Sequence, residues 1–326
     1  MSKHANISIF VPHIGCPNMC SFCNQHAITG SQKVPHAADV QSACEKALSS
    51  GVDLKYTEIA FFGGSFTAIN REYMVELLQA AKPYVDMGIR GIRISTRPDC
   101  IDDEVLSLLK TYGVTTIELG VQSTSDLVLS LNDRGHTAGD IITASKLVKY
   151  HGFTLGLQMM VGLYGSTPEL DIQTARDIIA LSPAEVRIYP VVILENTKLG
   201  RLYKSGEYIP YTLEKATEIC AELLDMFEEK GIKVIKLGLH ASEIVEGEML
   251  GGLYHPALRE LCEAQRFKKL MLGLIGDDKC AAFTVKPSEL SKALGQKRSN
   301  IEYFRSLGIE ISIKTDINQI EKIVKT

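Results

Sequence analysis

Gly15-Cys16-Pro17-Asn18-Met19-Cys20-Ser21-Phe22-Cys23 is the stretch on which the reading of this chain turns. The spacing is Cys-x3-Cys-x2-Cys, with no fourth cysteine close behind. Three soft thiolates on one short loop suit an iron–sulfur cluster. A cubane held by three thiolates leaves one iron open to bind and activate a ligand, whereas structural metal sites close with four protein ligands. Two other readings stand beside it: a zinc knuckle completed from elsewhere in the chain, and three unconnected thiols.

Outward from this loop, β-rich apolar runs alternate with amphipathic stretches. Strands are predicted at Ile7–Pro12, Glu58–Phe62, Gly91–Thr96, Thr116–Val121, Thr154–Met160 and Glu185–Val192. Helices are predicted near Ala37–Ser50, Arg71–Met87, Asp102–Tyr112, Ala138–His151, Leu170–Leu181 and Leu213–Lys230. Strand–helix alternation with apolar strands implies a parallel sheet covered by helices. Alternation alone fits a doubly wound open sheet as well as a partial barrel. A cysteine loop directly after the first strand favours the barrel, because ligand sites lie at the C-terminal ends of parallel strands.

Near Gly238 the rhythm changes. The expected division is a core over residues 1–240 and a small, substrate-binding C-terminal domain over 241–326, with Lys279–Val324 read as strand–helix–helix–strand–helix. The basic turn Gln296-Lys297-Arg298-Ser299-Asn300 is read either as a phosphate contact or as an ordinary solvated loop. Residues 255–326 carry 13 Lys and Arg against 9 Asp and Glu, while the remainder carries 22 against 30. The formal charge of the whole is −4, which argues against an overall basic nucleic-acid binder. At 326 residues and 45% hydrophobic, the chain has material for one large domain and a small one. It shows no signal segment and no apolar stretch of membrane-spanning length, so a cytoplasmic protein is expected. Cys44, Cys100, Cys220, Cys262 and Cys280 lie scattered among apolar neighbours and do not read as a disulfide framework.

The cysteine run, with aromatic Phe22 just before its third cysteine, resembles the signature of the radical S-adenosylmethionine (radical SAM) superfamily. The resemblance implies a (β/α)6 partial TIM barrel within an α/β chain, followed here by a small α+β domain. It implies a [4Fe–4S] cluster on Cys16, Cys20 and Cys23 whose open iron chelates S-adenosylmethionine. One electron, from a donor such as flavodoxin or ferredoxin, would then release a 5′-deoxyadenosyl radical that takes a hydrogen atom from substrate. Further positions follow from the same likeness. Gly63-Gly64-Ser65, ending the second strand, resembles the glycine-rich motif that meets the methionyl amino group, and glycine there lets backbone approach a ligand. Ser95 stands where the resembling families carry an acidic residue for the ribose; its hydroxyl makes such a bond without the strength of a charge. Arg97 and Asp99 fit a solvated pair equally well. Gln122 would face the ribose and Arg134 the cofactor carboxylate, for which a guanidinium fork is well shaped; the bland alternative is a surface contact between Asp133 and Arg134. Gln158 would lie near the adenosine, Tyr189 in the cavity or in barrel packing, and Phe10 would reach toward the bound cofactor.

Val11-Pro12-His13-Ile14-Gly15-Cys16, Glu118-Leu119-Gly120-Val121-Gln122-Ser123 and Arg134-Gly135-His136-Thr137 narrow the resemblance to the Elongator catalytic-subunit branch, and Gly162-Leu163 with Gly165-Ser166-Thr167-Pro168-Glu169 continues it. More loosely, the core resembles oxygen-independent coproporphyrinogen III oxidase. Only 15 residues precede Cys16, and nothing in residues 263–326 resembles an acetyl-CoA loop, so acetyl loading is not expected to carry over. The expected activity is reductive cleavage of S-adenosylmethionine followed by hydrogen abstraction from RNA or a similar polyanion. Porphyrinogen-type oxidation of a small molecule, and a non-catalytic iron–sulfur sensor, are the alternatives.

Overall fold

The structure, a computed structural model, describes residues 4–12, 19–24, 33–239 and 247–326. Cys16 and the boundary drawn at residue 240 lie outside the described residues. Seven parallel strands form one curled half-barrel: β1 (Ala5–Val11), β2 (Thr57–Gly63), β3 (Gly91–Thr96), β4 (Val114–Gln122), β5 (Thr154–Val161), β6 (Glu185–Pro190) and, at the far edge, the strand Lys233–Leu237. The six expected strands and their order are present, and Lys233–Leu237 is the addition. Its lysines interrupt the apolar run that marks its neighbours, so no signal for a strand stood out.

Helices α1 (Ala37–Ser49), α2 (Arg71–Asp86), α3 (Asp103–Thr111), α4 (Asp126–Leu131), α5 (Ala138–Tyr150), α6 (Pro168–Ala180), α7 (Lys198–Lys204) and α8 (Leu213–Glu229) follow in chain order. Side-chain oxygens cap the first turns of α2–α8: Asp102 accepts from the amide of Val105, and Thr167 from that of Leu170, with Pro168 at the first helical position. The convex face of the sheet presents Ile7, Ile9, Ile59, Phe61, Ile92, Ile94, Ile117, Leu119, Leu155, Leu157, Val186 and Ile188 to these helices in one continuous core.

The expected strand Glu185–Val192 breaks after Pro190. Residues Val192–Leu194 form β7, which pairs antiparallel with Met249–Gly252; the barrel's edge strand Lys233–Leu237 is β8 and Met249–Gly252 is β9. Gly252, at φ +97°, closes that pairing where a Cβ would stand 2.7 Å from the Val191 carbonyl oxygen.

Helix α9 (Leu258–Ile275) then joins two cores. Leu258 and Cys262 pack into the barrel's core, while Phe267, Met271 and Ile275 pack with Phe283, Val285, Ala293, Phe304 and Ile323. Arg266 fastens α9 to α8 through Asp225 at 2.7 Å and through Glu228. The second core supports a three-stranded sheet of β10 (Cys280–Val285), β11 (Glu310–Thr315) and β12 (Ile323–Lys325) with α10 (Leu290–Leu294) and α11 (Ser299–Ser306). The final expected helix is therefore a strand. Its three residues, Ile-Val-Lys, are too short for a periodic signal and are held by pairing with β10.

The concave face is charged. Glu58 and Arg93 expose 1% and 3% of their surface, and Glu118 4%. The Nε and Nη2 of Arg93 donate to Glu58 Oε2 at 3.0 and 2.8 Å, and its Nη1 donates to Glu118 and Glu185. Arg187 grips Glu118 with two bonds of 2.8 and 2.9 Å. Burial alone would raise the Glu58 carboxyl, but the Arg93 guanidinium overrides it and holds it below its ordinary value. Removing one partner of such a set leaves buried charge without compensation. Arg93→Met should therefore lower stability by about 3–5 kcal/mol in urea titrations at pH 7.5. Without the guanidinium, burial raises the carboxyls, so the folded variant binds protons that the unfolded chain does not. Acidification to about pH 5 should then recover part of the loss, whereas the parent, with a depressed Glu58, gains nothing from it. A loss below about 1 kcal/mol, independent of pH, would show that the network does not hold the sheet.

Candidate active site at the C-terminal rim of the half-barrel

The first structural requirement is that the cysteine loop meet the sheet's rim. At the end of β2, Gly63 has φ +112°, and a Cβ there would lie 2.5 Å from the Val11 carbonyl oxygen. The Gly64 amide donates to that same oxygen at 2.8 Å. Glycine is thus needed to bring the β2 turn against the end of β1, where the loop departs. Ser65 is buried beside it.

The loop's second half is docked by Asn132, a residue the sequence presented without a role. Ser21 Oγ donates to Asn132 Oδ1 at 2.7 Å, and the Ser21 amide to the Asn132 carbonyl at 3.1 Å. Asn132 Nδ2 donates to the carbonyls of Val128 and Tyr164, both at 2.8 Å. The Leu199 amide donates to the Ser21 carbonyl at 2.7 Å, and that of Cys23 to the Cys20 carbonyl at 3.1 Å. Phe22 packs against the apolar group that includes Val128, Met160, Leu163 and Val191. The Tyr164 side of this dock is fixed in turn by Asp171, which accepts from the Gly162 amide at 3.0 Å and from Ser166 Oγ at 2.6 Å. Burial raises the Asp171 carboxyl to about 6.

Arg134 leads from the loop to the strands. Its Nη1 lies 3.0 Å from Cys20 Sγ, and its Nη2 donates to the Gly120 carbonyl at 2.7 Å. Its Nε is buried and has no hydrogen-bond partner among the described residues. Asp133 pairs with Lys198 at 2.7 Å, so the alternative of a surface contact between Asp133 and Arg134 is not what forms. Gly120 keeps this corner open: a Cβ would stand 2.9 Å from Gln122 Nε2 and 3.3 Å from Arg134 Nη2. Gln122, at φ +67°, accepts from Gln158 Nε2 at 3.2 Å, which links the ends of β4 and β5. Cys20, Arg134, Gly120, Gln122 and Gln158 thus form one contiguous string.

A second string runs along the concave wall. Ser95 Oγ donates to Glu118 Oε2 at 3.4 Å, and Glu118 is held by Arg187 as above. Arg187 lies over the Phe62 ring at 5.3 Å, and Phe10 tilts against Phe62 with centroids 6.4 Å apart. Phe10 remains 42% exposed, and Tyr189 is pushed up in pKa by burial. Arg97, itself buried, donates two bonds of 2.9 and 2.7 Å to Asp99, whose side is open to solvent, so the pair expected from sequence forms with its acidic end exposed. His136, buried against the Val121 carbonyl, is lowered to about 4 by burial first and by Arg134 second, so it is neutral near pH 7.

The family model of the radical SAM superfamily matches residues 10–178, and a radical SAM C-terminal domain model matches residues 183–268. The tRNA uridine(34) acetyltransferase of Methanocaldococcus jannaschii is 33% identical over 184 residues, covering 50% of this chain and 34% of that protein. Human Elongator complex protein 3 is 30% identical over 200 residues, covering 55% of this chain and 36% of that protein. The chain thus spans about a third of the length of each. Among solved structures, the archaeal Methanocaldococcus infernus Elp3 with its N-terminus deleted superposes with a TM-score of 0.65 at 23% identity, covering 82% of this chain and 64% of that one. That likeness concerns the fold, a curled parallel half-barrel, and no described helix is long and apolar enough to cross a membrane. With one family pattern running from the end of β1 through α6, over the strands whose rims carry the geometry above, the chain belongs to the radical SAM superfamily.

Proposed function

We propose that this chain is a radical SAM enzyme that holds a [4Fe–4S] cluster on Cys16, Cys20 and Cys23, binds S-adenosylmethionine across the rim of β2–β6, and acts on RNA. The observation that carries the cofactor reading is Arg134. A buried guanidinium touching the loop's middle cysteine, with its Nε unpartnered, fits an anionic ligand beside that cysteine. The residues present therefore suit the group. Cys20 Sγ lies 3.0 Å from the Arg134 guanidinium, so a ligand held by that cysteine would meet the same cation.

When bound, the cluster and S-adenosylmethionine supply one-electron cleavage of the sulfonium, with the electron drawn from a reduced flavodoxin- or ferredoxin-type donor, and with it a hydrogen-abstracting group. The protein's own side chains bind and orient. Arg134 pairs with the carboxylate. Gly63, Gly64 and Ser65 offer backbone and hydroxyl groups to the amino end, while Gln122 and Ser95 meet the ribose hydroxyls. Gln158, Tyr189 and Phe10 flank the adenosine. Arg93, Glu58, Glu118 and Arg187 act through these residues, holding the wall on which Ser95 and Tyr189 stand. RNA as substrate class is supported by the sequence likeness to tRNA uridine(34) acetyltransferases. The unit built on α9 and β10–β12 would serve that substrate, with the barrel keeping the chemistry.

Anaerobically reconstituted protein should carry about four irons and four sulfides. Cys16→Ala, Cys20→Ala and Cys23→Ala should each lose them, and the exposed Cys280→Ala should keep them. Reduced protein should release 5′-deoxyadenosine from S-adenosylmethionine. Arg134→Ala removes a charge-assisted contact and should weaken S-adenosylmethionine, measured by equilibrium dialysis, roughly ten- to a hundredfold. Unchanged affinity in Arg134→Ala would withdraw the carboxylate role, and stoichiometric zinc in place of iron would end the cluster reading.

A further inference from the structure

The unit of β10, α10, α11 and β11 is a strand–helix–helix–strand fold whose two strands pair in parallel, Cys280 opposite Glu310 through Val285 opposite Thr315. Its two short helices are joined by the four residues Gly295-Gln296-Lys297-Arg298. The arrangement resembles that of KH modules, in which a Gly-x-x-Gly turn clamps the backbone of single-stranded nucleic acid. Here the turn is Gly-Gln-Lys-Arg, with a cation where the second glycine stands.

The turn is held in place. Gly295, at φ +75°, packs so tightly that a Cβ would stand 2.4 Å from Ser299 Oγ. The Arg298 amide donates back to the Gly295 carbonyl at 3.0 Å. Asn300, 3% exposed, donates from Nδ2 to the carbonyls of Ala264 and Ala293, both at 2.9 Å, which ties α11 to α9 and α10. Lys297 and Arg298 sit at φ +51° and +63°, a left-handed region that costs non-glycine residues energy. Both are exposed, and among the described residues neither makes an ion pair, whereas Lys292, Arg305 and Lys325 nearby in sequence each pair with a carboxylate. A rigid turn that keeps an arginine where glycine would be relaxed, and leaves two cations for an outside partner, suits a phosphate backbone. It lies in residues 255–326, which carry 13 Lys and Arg against 9 Asp and Glu, a balance opposite in sign to the polyanion expected.

We propose that Lys297 and Arg298 form a KH-like clamp that holds a single-stranded RNA segment and so delivers substrate RNA to the half-barrel. The proposal rests on the RNA-directed part of the function above and adds its binding site. Each side chain meets a phosphate, and the amides at the start of α11 face the same strand.

The test is fluorescence anisotropy of the reconstituted protein with a labelled single-stranded oligoribonucleotide of about ten nucleotides at two salt concentrations. Lys297→Glu with Arg298→Glu should weaken binding at least roughly tenfold and flatten the slope of log affinity against log salt by about 1.4, the contribution of two phosphate contacts on a single strand. Arg298→Gly guards against misfolding, because it relaxes the backbone while removing one cation. Its thermal midpoint should hold or rise while RNA affinity falls. Unchanged affinity and slope in both variants would return the turn to a packing role and overturn the clamp. Competition by single-stranded DNA as strong as by RNA would overturn the assignment to RNA. Parent protein that cleaves S-adenosylmethionine but retains no RNA would overturn the clamp and leave the cofactor reading standing. Retention that depends on the turn, without cofactor cleavage, would do the reverse.

Discussion

Everything at the rim depends on how a half-open barrel fills its concave side. A closed barrel packs branched apolar side chains in layers across its axis. Here the strands carry apolar residues outward to the helices and place Glu58, Arg93, Glu118, Glu185 and Arg187 inward, so β2, β3, β4 and β6 are tied together by charge. An apolar set of similar volume would hold the strands as well, since desolvation offsets much of the attraction between buried ions. What the charged set adds is a polar wall with fixed geometry. Gly156 makes room for it: a Cβ there would stand 3.0 Å from Glu118 Cγ.

From that wall the constraint passes to the cysteine loop through β4. The strand ends at Gln122 in a left-handed turn, α4 follows, and its end sets Asn132 and Arg134 two residues apart. Asn132 receives the loop's backbone and hydroxyl, and Arg134 receives its cysteine. Loop position and guanidinium position are therefore set by one short segment of chain. A ligand bridging the loop and β4 would find both ends already placed, which lowers the ordering cost of binding.

Much of the scaffold was legible because its signals are local. The apolar runs of β1–β6 and the tight Gly63-Gly64 turn each announce themselves within a few residues, while the helix expected from Leu170 begins two residues earlier, at Pro168. The seventh strand was not legible, because Lys233 and Lys236 give an edge strand a mixed pattern. The break at Pro190 was hidden inside one continuous apolar run, Ile188 to Leu194. The ion network left no local trace, since Arg93 meets partners 35, 25 and 92 residues away. Asn132 carried no sequence signal, because its two bonds to Ser21 join residues 111 positions apart. The basic turn at Lys297 and Arg298 was visible as charge, but its left-handed backbone was not, because neither residue favours that conformation.

The central claim is that the cysteine loop and Arg134 together present an open iron to S-adenosylmethionine. The most direct measurement is the electron paramagnetic resonance spectrum of the reduced, reconstituted protein, recorded with and without S-adenosylmethionine. Ligation of the open iron should shift the g values of the cluster signal, and the shift in Arg134→Ala should require a much higher cofactor concentration. A cluster signal that saturating S-adenosylmethionine leaves unaltered would contradict the account.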